Sequence, residues 1–185
     1  MSTREPSLPD KVVAIDEALT AQRVAHAFGG ALALAYYAEP RATIDIDVNV
    51  FVAPTDHPLV LGALEPLGVD PRDRLAVIEH DGQARWWWGR TPIDLFFAYD
   101  EIHEAMRGAV RRVPFGDDRI PILGPEHLAV CKIVFDRPKD WIDIEQMLVG
   151  APDLDGTEVA RWLDRMLEAE DPRHARFVAL AERAK

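Results

Sequence analysis

The chain has 185 residues, 48% of them hydrophobic, with 32 acidic against 21 basic residues and a formal charge of −11. That length suggests one compact domain, or one with a small helical extension, and the charge argues against a surface that is one continuous nucleic-acid footprint. No run of about eighteen apolar residues marks a membrane span, MSTREPSLPDK is too polar and Pro-rich for a secretory signal, and the single Cys131 excludes an internal disulfide framework, so a cytoplasmic protein is expected.

Residues 9–20 carry an apolar stripe at helical spacing: Val12, Val13, Ile15, Ala18 and Leu19. Residues 25–38 also read as helical, but Gly29-Gly30 interrupts them. Two glycines inside a helix cost about 2 kcal/mol relative to alanine, so the pair is read as a helix start, with His26-Ala27-Phe28 before it as a short strand. A strand is expected over 43–52 and a short helix over 57–67. Three strands follow, over 75–80, 84–89 and 92–98, with Asp81-Gly82 as the turn between the first two. A helix over 100–109 precedes two short extended pieces, AVRRVPF and RIPIL, around a Gly-Asp-Asp turn. From Pro125 the chain reads as helical, over 125–136, 138–149, 156–169 and 172–184. The expected fold is α+β: a small mixed sheet flanked by helices over 1–124, then a helical bundle over 125–185 packed on it.

The strand RATIDIDVNVFV raises a problem. Ile44, Ile46, Val48 and Val50 alternate into a core, which leaves Thr43, Asp45, Asp47 and Asn49 on the other face. Aspartate is a poor strand former. At i and i+2, two Cα atoms are about 6.5–7 Å apart, so Asp45 and Asp47 aim two carboxylates at one region. They repel unless a cation lies between them, and Mg²⁺, which takes hard oxygen ligands, is the natural candidate. The bland alternative is a half-solvated strand whose polar face happens to be acidic. A third carboxylate, Asp94, stands alone in the apolar run TPIDLFFAY, where it needs a partner. A salt bridge to Arg41 or Arg90 would serve. A metal shared with Asp45 and Asp47 would explain both oddities, provided the two strands are neighbours.

A glycine pair at a helix start, a D-x-D on a strand and a third Asp on a later strand together resemble the nucleotidyltransferase (polymerase-β-like) superfamily. More narrowly, FGGALALAYYAEPRATIDIDVNV and CKIVFDRPKDWIDIEQML resemble the AbiEii-type toxin and related bacterial nucleotidyltransferase-like proteins. The resemblance runs from Phe28 to Leu148. It implies that Asp45, Asp47 and Asp94 are catalytic and hold Mg²⁺ (or Mn²⁺), with Asp94 helping to deprotonate an acceptor hydroxyl. It implies that Gly29 and Gly30 let the backbone approach the triphosphate of an NTP, with Lys132 reaching a phosphate. Thr43, on the face of Asp45, is a further candidate nucleotide contact. One departure is that Ala31, not serine, follows the glycines.

Other residues carry weaker signals. Arg85, Arg90, Arg107, Arg111, Arg112, Arg119, Lys132, Arg137 and Lys139 concentrate positive charge mid-chain, which fits either a phosphate-handling site or an ordinary solvated surface. Lys139, Asp140 and Asp143 match the family segment but also suit helix-dipole and i,i+4 roles. Trp86, Trp87 and Trp88 alternate faces, so they are read as packing rather than as one base-stacking platform. His26 is read as structural and Cys131 as a buried, inert thiol. The function expected from the resemblance is transfer of a nucleotide from an NTP to a hydroxyl of RNA, such as a tRNA end, or of protein, in the manner of a toxin with an antitoxin partner. Two alternatives remain: transfer to a small, aminoglycoside-like molecule, and a regulatory module that binds nucleotide or metal without turnover.

Overall fold

Helix α1 (Leu8–Ala21) begins at a capping box: the Ser7 hydroxyl accepts from the Asp10 amide, and the Asp10 carboxylate accepts from the Ser7 amide. The computed structural model describes residues 5–72 and 75–184, without the side chain of Ala76, so the first four residues of the polar N-terminal stretch lie outside it. The chain divides into two compact units. One takes the residues up to Leu32 together with Ala42–Ile122, and the other takes Ala33–Arg41 with Leu123 onward. The expected split at residue 124 leaves out the 33–41 segment, which belongs with the C-terminal helices.

The first unit holds the sheet. Its strands are β1 (His26–Phe28), β2 (Ile46–Val50), β3 (Val69–Asp70), β4 (Gln83–Trp88), β5 (Thr91–Phe97), β6 (Arg111–Phe115) and β7 (Asp118–Ile122), in spatial order β3-β4-β5-β2-β1-β7-β6. The β2–β5 and β1–β7 pairs are parallel and the others antiparallel, so the sheet is mixed, as expected. Ile46, Val48, Val50, Trp86, Ile93, Leu95 and Phe97 are all buried, and they are the alternate positions of β2, β4 and β5. Around the sheet in sequence lie α2 (Gly30–Leu34), α3 (His57–Leu64), α4 (Ile78–Asp81) and α5 (Glu101–Gly108).

Two local expectations fail. Residues 75–81 are helical, a 3₁₀ turn followed by α4, and not a strand. Gly82, at φ +63°, caps that helix in the left-handed conformation that a hairpin turn would also have demanded, so an Asp-Gly pair fits both readings. Ile44 is 73% exposed, not in the core, because β2 starts only at Ile46. The Thr43 hydroxyl accepts from the Asp45 amide at 3.1 Å, and the chain turns there before the strand begins.

The β4–β5 hairpin is held in register at its turn. Lys11 of α1 is buried and donates to the Trp88 carbonyl and to the Thr91 hydroxyl, both at 2.9 Å. Gly89, at φ +60°, supplies the left-handed step of the tight turn. Trp86 is fully buried. Trp87 and Trp88 are half-buried, and Arg72 lies over the ring of Trp87 at 4.3 Å. The three tryptophans therefore pack separately.

The second unit contains α6 (Pro125–Phe135), α7 (Pro138–Gly150), α8 (Gly156–Met166) and α9 (Pro172–Arg183). Asp155 and Asp171 cap α8 and α9 by accepting from amides of the first turn. The 33–41 segment is tied in by sequence-remote bonds. The Tyr37 hydroxyl donates to the Leu123 carbonyl at 2.8 Å, and Arg41 pairs with Asp143 at 3.2 Å. Cys131 is half-buried rather than fully buried. Among the described residues no helix is long and apolar enough to cross a membrane.

Candidate active site

Strands β2 and β5 lie side by side, the condition that the shared-metal reading required. In their parallel register Asp47 is the direct partner of Asp94, with Val48 opposite Leu95 and Ile46 opposite Ile93. Adjacent strands are about 4.8 Å apart, and direct partners point to the same face, so the side chains of Asp47 and Asp94 leave the sheet as neighbours. Asp45 is two residues before Asp47, at the entry to β2. The buried faces of both strands are wholly apolar and fix this orientation, since a slip of one residue would bury the carboxylates.

Gly30 completes this wall of the site. The Gly29 amide donates to the Asp47 carbonyl at 2.9 Å, so it is spent on the sheet and does not open toward a ligand. Gly30 follows at φ +52°, and a Cβ placed there would lie 1.8 Å from Asp47 Oδ2 and 2.4 Å from Asp47 Cγ. The carboxylate of Asp47 thus rests against the bare Cα of Gly30. The backbone angle favours glycine at that position, and a Cβ there would push the Asp47 carboxylate out of its place.

Sequence reasoning counted Arg85 among the mid-chain basic residues but missed its place beside Asp94. It is the direct antiparallel partner of Asp94 across the β4–β5 hairpin. Its Nε donates to Asp94 Oδ1 at 2.7 Å and its Nη2 to Asp94 Oδ2 at 2.6 Å, a two-pronged fork. The same nitrogen is 3.8 Å from Asp45 Oδ2. The hydrogen bonds to Asp94 hold the Arg85 guanidinium well above the usual arginine range; burial opposes them, and the charges of Asp94, Asp45 and Asp47 add smaller contributions in the same direction as the hydrogen bonds. The lone carboxylate in the apolar strand therefore has an ordinary partner, but neither of the two expected: Arg41 pairs with Asp143, and Arg90 approaches Glu5. The signal was in the turn. A two-residue Gly89-Arg90 hairpin sets Trp88 opposite Thr91, and counting outward puts Arg85 opposite Asp94.

As donors, Asp45, Asp47 and Asp94 suit a hard divalent cation, since all three offer carboxylate oxygen and face one side of the sheet. Arg85 partly neutralises the cluster from within by forking onto Asp94. Among the described residues no three acidic, histidine or cysteine side chains already converge as a metal-binding group. The donor chemistry fits the metal, and Arg85 holds one acceptor site on each Asp94 oxygen.

The remaining candidates fall elsewhere in the chain's chemistry. Lys132, expected to reach a phosphate, is buried, with its ammonium 2.6 Å from Asp143 and 3.8 Å from Asp140. Arg137 forks onto Asp140 with bonds of 2.6 and 3.1 Å. The family-like residues Arg41, Lys132, Arg137, Asp140 and Asp143 thus form one ion-pair network within the second unit. Asp143 uses Lys132 and Arg41 rather than Lys139. Thr43 turns its hydroxyl onto the Asp45 backbone. His26 is structural: its ring bonds to Asp16 and to the Val24 carbonyl, both at 2.9 Å.

No protein-family model matches the chain, and no curated protein sequence does. Solved structures do. The solution structure of the antibiotic-resistance factor ANT(2'')-Ia superimposes with a TM-score of 0.63 at 17% identity, over 97% of this chain and 98% of that one. The crystal structure of ANT(2'')-Ia in complex with adenylyl-2''-tobramycin gives 0.61 at 16% identity, over 92% and 97%. The fold is that of the nucleotidyltransferases. The lincomycin-bound lincosamide antibiotic adenylyltransferase LnuA matches at 0.54 and 13% identity, over 78% of this chain and 98% of that one. At such identities the likeness establishes the fold, and the chemistry rests on the site residues themselves.

Proposed function

We propose that the protein is a metal-dependent nucleotidyltransferase that moves an NMP from an NTP to a hydroxyl acceptor. The observation that carries this reading is the register of β2 and β5, which sets Asp47 beside Asp94 with Asp45 on the same face and Gly30 under the Asp47 carboxylate. A structural strand gains nothing from three neighbouring carboxylates, which repel one another.

Asp45 and Asp47 would hold Mg²⁺ or Mn²⁺, with Asp94 completing the set. When bound, the metal supplies charge stabilisation to the phosphoryl oxygens. Asp94 faces the same region and, once free of Arg85, accepts the proton of the acceptor hydroxyl. The hydroxyl oxygen forms a bond to the α-phosphorus, the bond to the bridging oxygen breaks, and pyrophosphate leaves with that electron pair. Gly30 keeps Asp47 seated without a Cβ in its way.

For the acceptor, a small hydroxyl-bearing molecule is the reading we favour. ANT(2'')-Ia, whose complex carries adenylyl-2''-tobramycin, matches nearly end to end, and the −11 charge of this chain suits a cationic acceptor. The AbiEii-like segments favour a second reading, transfer to RNA or protein by a toxin with an antitoxin partner. Incubation with each α-labelled NTP, Mg²⁺ and, in turn, aminoglycosides, lincosamides, total RNA and cell protein identifies the acceptor. Label on a small molecule supports the first reading and label on RNA or protein the second. No label in any mixture, with NTP binding retained, replaces both with a regulatory binding module.

A further inference from the structure

We propose that Arg85 is a built-in counter-ion to Asp94 that competes with a divalent cation for that carboxylate. This rests on the reading of Asp45, Asp47 and Asp94 as a metal site. Three carboxylates on one face of a sheet repel one another, and the cluster needs positive charge even when no metal is bound. Arg85 supplies it from the one position that faces Asp94 directly across the hairpin. Both prongs of its fork are engaged, at 2.7 and 2.6 Å, so each Asp94 oxygen already accepts one charge-assisted bond. Arg85 Nη2 also reaches within 3.8 Å of Asp45 Oδ2, so one guanidinium lies against two of the three carboxylates.

The arrangement is exchangeable. The Arg85 side chain is 49% exposed, so rotation about its own bonds carries it into water without disturbing the core. The β4–β5 pairing is made by the backbone and stays intact in either rotamer. On the opposite face Trp86 is fully buried and anchors the strand. Arginine and metal therefore compete for one carboxylate, and that competition partly sets the metal affinity of the wild-type protein. Arg85 acts through Asp94, and in that sense it is a positioning residue.

The test uses Mn²⁺ as the probe on the full chain without nucleotide, with free Mn²⁺ followed by its paramagnetic signal. Arg85→Gln should tighten Mn²⁺ binding about tenfold, the low end for a charge-assisted pair that is half exposed. Arg85→Lys, a cation without the fork, should fall between wild type and the Gln variant, and it carries the test if Arg85→Gln does not fold. The gain should vanish when Arg85→Gln is combined with Asp94→Asn, a dependence that a merely structural arginine would not show. Binding by wild type with no gain in Arg85→Gln, or a gain that survives Asp94→Asn, overturns the counter-ion role and leaves the metal site standing. No Mn²⁺ binding by any variant, with Asp47→Asn indistinguishable from wild type, overturns the metal reading and this proposal with it.

Discussion

Replacing Gly30 with alanine tests the seat of Asp47 most sharply, because two separable penalties meet there. A left-handed residue with a Cβ costs about 1–2 kcal/mol, and φ is +52° at this position. The new methyl would also lie 1.8 Å from Asp47 Oδ2, 2.4 Å from Cγ and 3.0 Å from Cβ. Oδ2 and Cγ clear the methyl when the carboxylate takes another rotamer, whereas Asp47 Cβ is fixed by the backbone and stays at the edge of contact, at 3.0 Å. That displacement adds about 1 kcal/mol. Gly30→Ala should therefore destabilise the fold by about 2–3 kcal/mol in urea unfolding. Transfer should suffer far more, by at least about a hundredfold, since a catalytic group misplaced by an ångström costs roughly that much. Combining Gly30→Ala with Asp47→Ala removes the clash with Oδ2 and Cγ and leaves the backbone penalty and the 3.0 Å contact with the Cβ at position 47. The two substitutions should be non-additive by about 1 kcal/mol. Full additivity, or near-wild-type transfer by Gly30→Ala, would refute the nested carboxylate.

Two further outcomes concern the helical unit. Lys132→Ala strips the cation from the buried Asp143 and Asp140, which retain only Arg41 and Arg137 as partners, so a loss of about 3 kcal/mol is expected in denaturant unfolding. Lys132→Ala in an Asp143→Asn background should cost clearly less, and an equal cost would mean that the pair is not the source. His127 is buried on α6 with neither ring nitrogen hydrogen-bonded, and burial pushes its pKa below the ordinary value against the pull of Glu158 and Glu126. The unfolded chain then binds the proton more readily, so stability is full above about pH 6.5 and declines as the pH falls below it. His103, likewise lowered by burial, contributes in the same direction. His127→Leu should flatten the stability–pH curve below that point, and an unchanged slope would show that His127 is not its source.

Much of the site was legible because strand alternation is a strong signal. The buried face of β2 is apolar from Ile46 to Val50, so Asp47 and Asn49 could only face the other way. Gly29-Gly30 marked a helix start because glycine is costly inside one. The sequence was silent where register and long-range pairing decide. Arg85 became visible only once the hairpin turn fixed its opposite number. The 33–41 segment joins the C-terminal helices through Arg41 and Asp143, 102 residues apart in sequence, and no local pattern announces such a tie. Residues 75–81 misled because a left-handed glycine ends a helix as readily as it turns a hairpin. Lys132 read as a phosphate ligand by resemblance, whereas its immediate surroundings supply two carboxylates on the next helix.

The most direct measurement is transfer of label from an α-labelled NTP by Asp45→Asn and Asp47→Asn, each beside wild type and beside wild type with a metal chelator. Both variants and the chelated protein should lose transfer by at least about a hundredfold, the scale of removing one electrostatic stabiliser. Their unfolding midpoints should stay at or above that of wild type, because each substitution relieves repulsion among the carboxylates. Undiminished transfer by either variant, or by the chelated protein, would contradict a metal site on this face of the sheet.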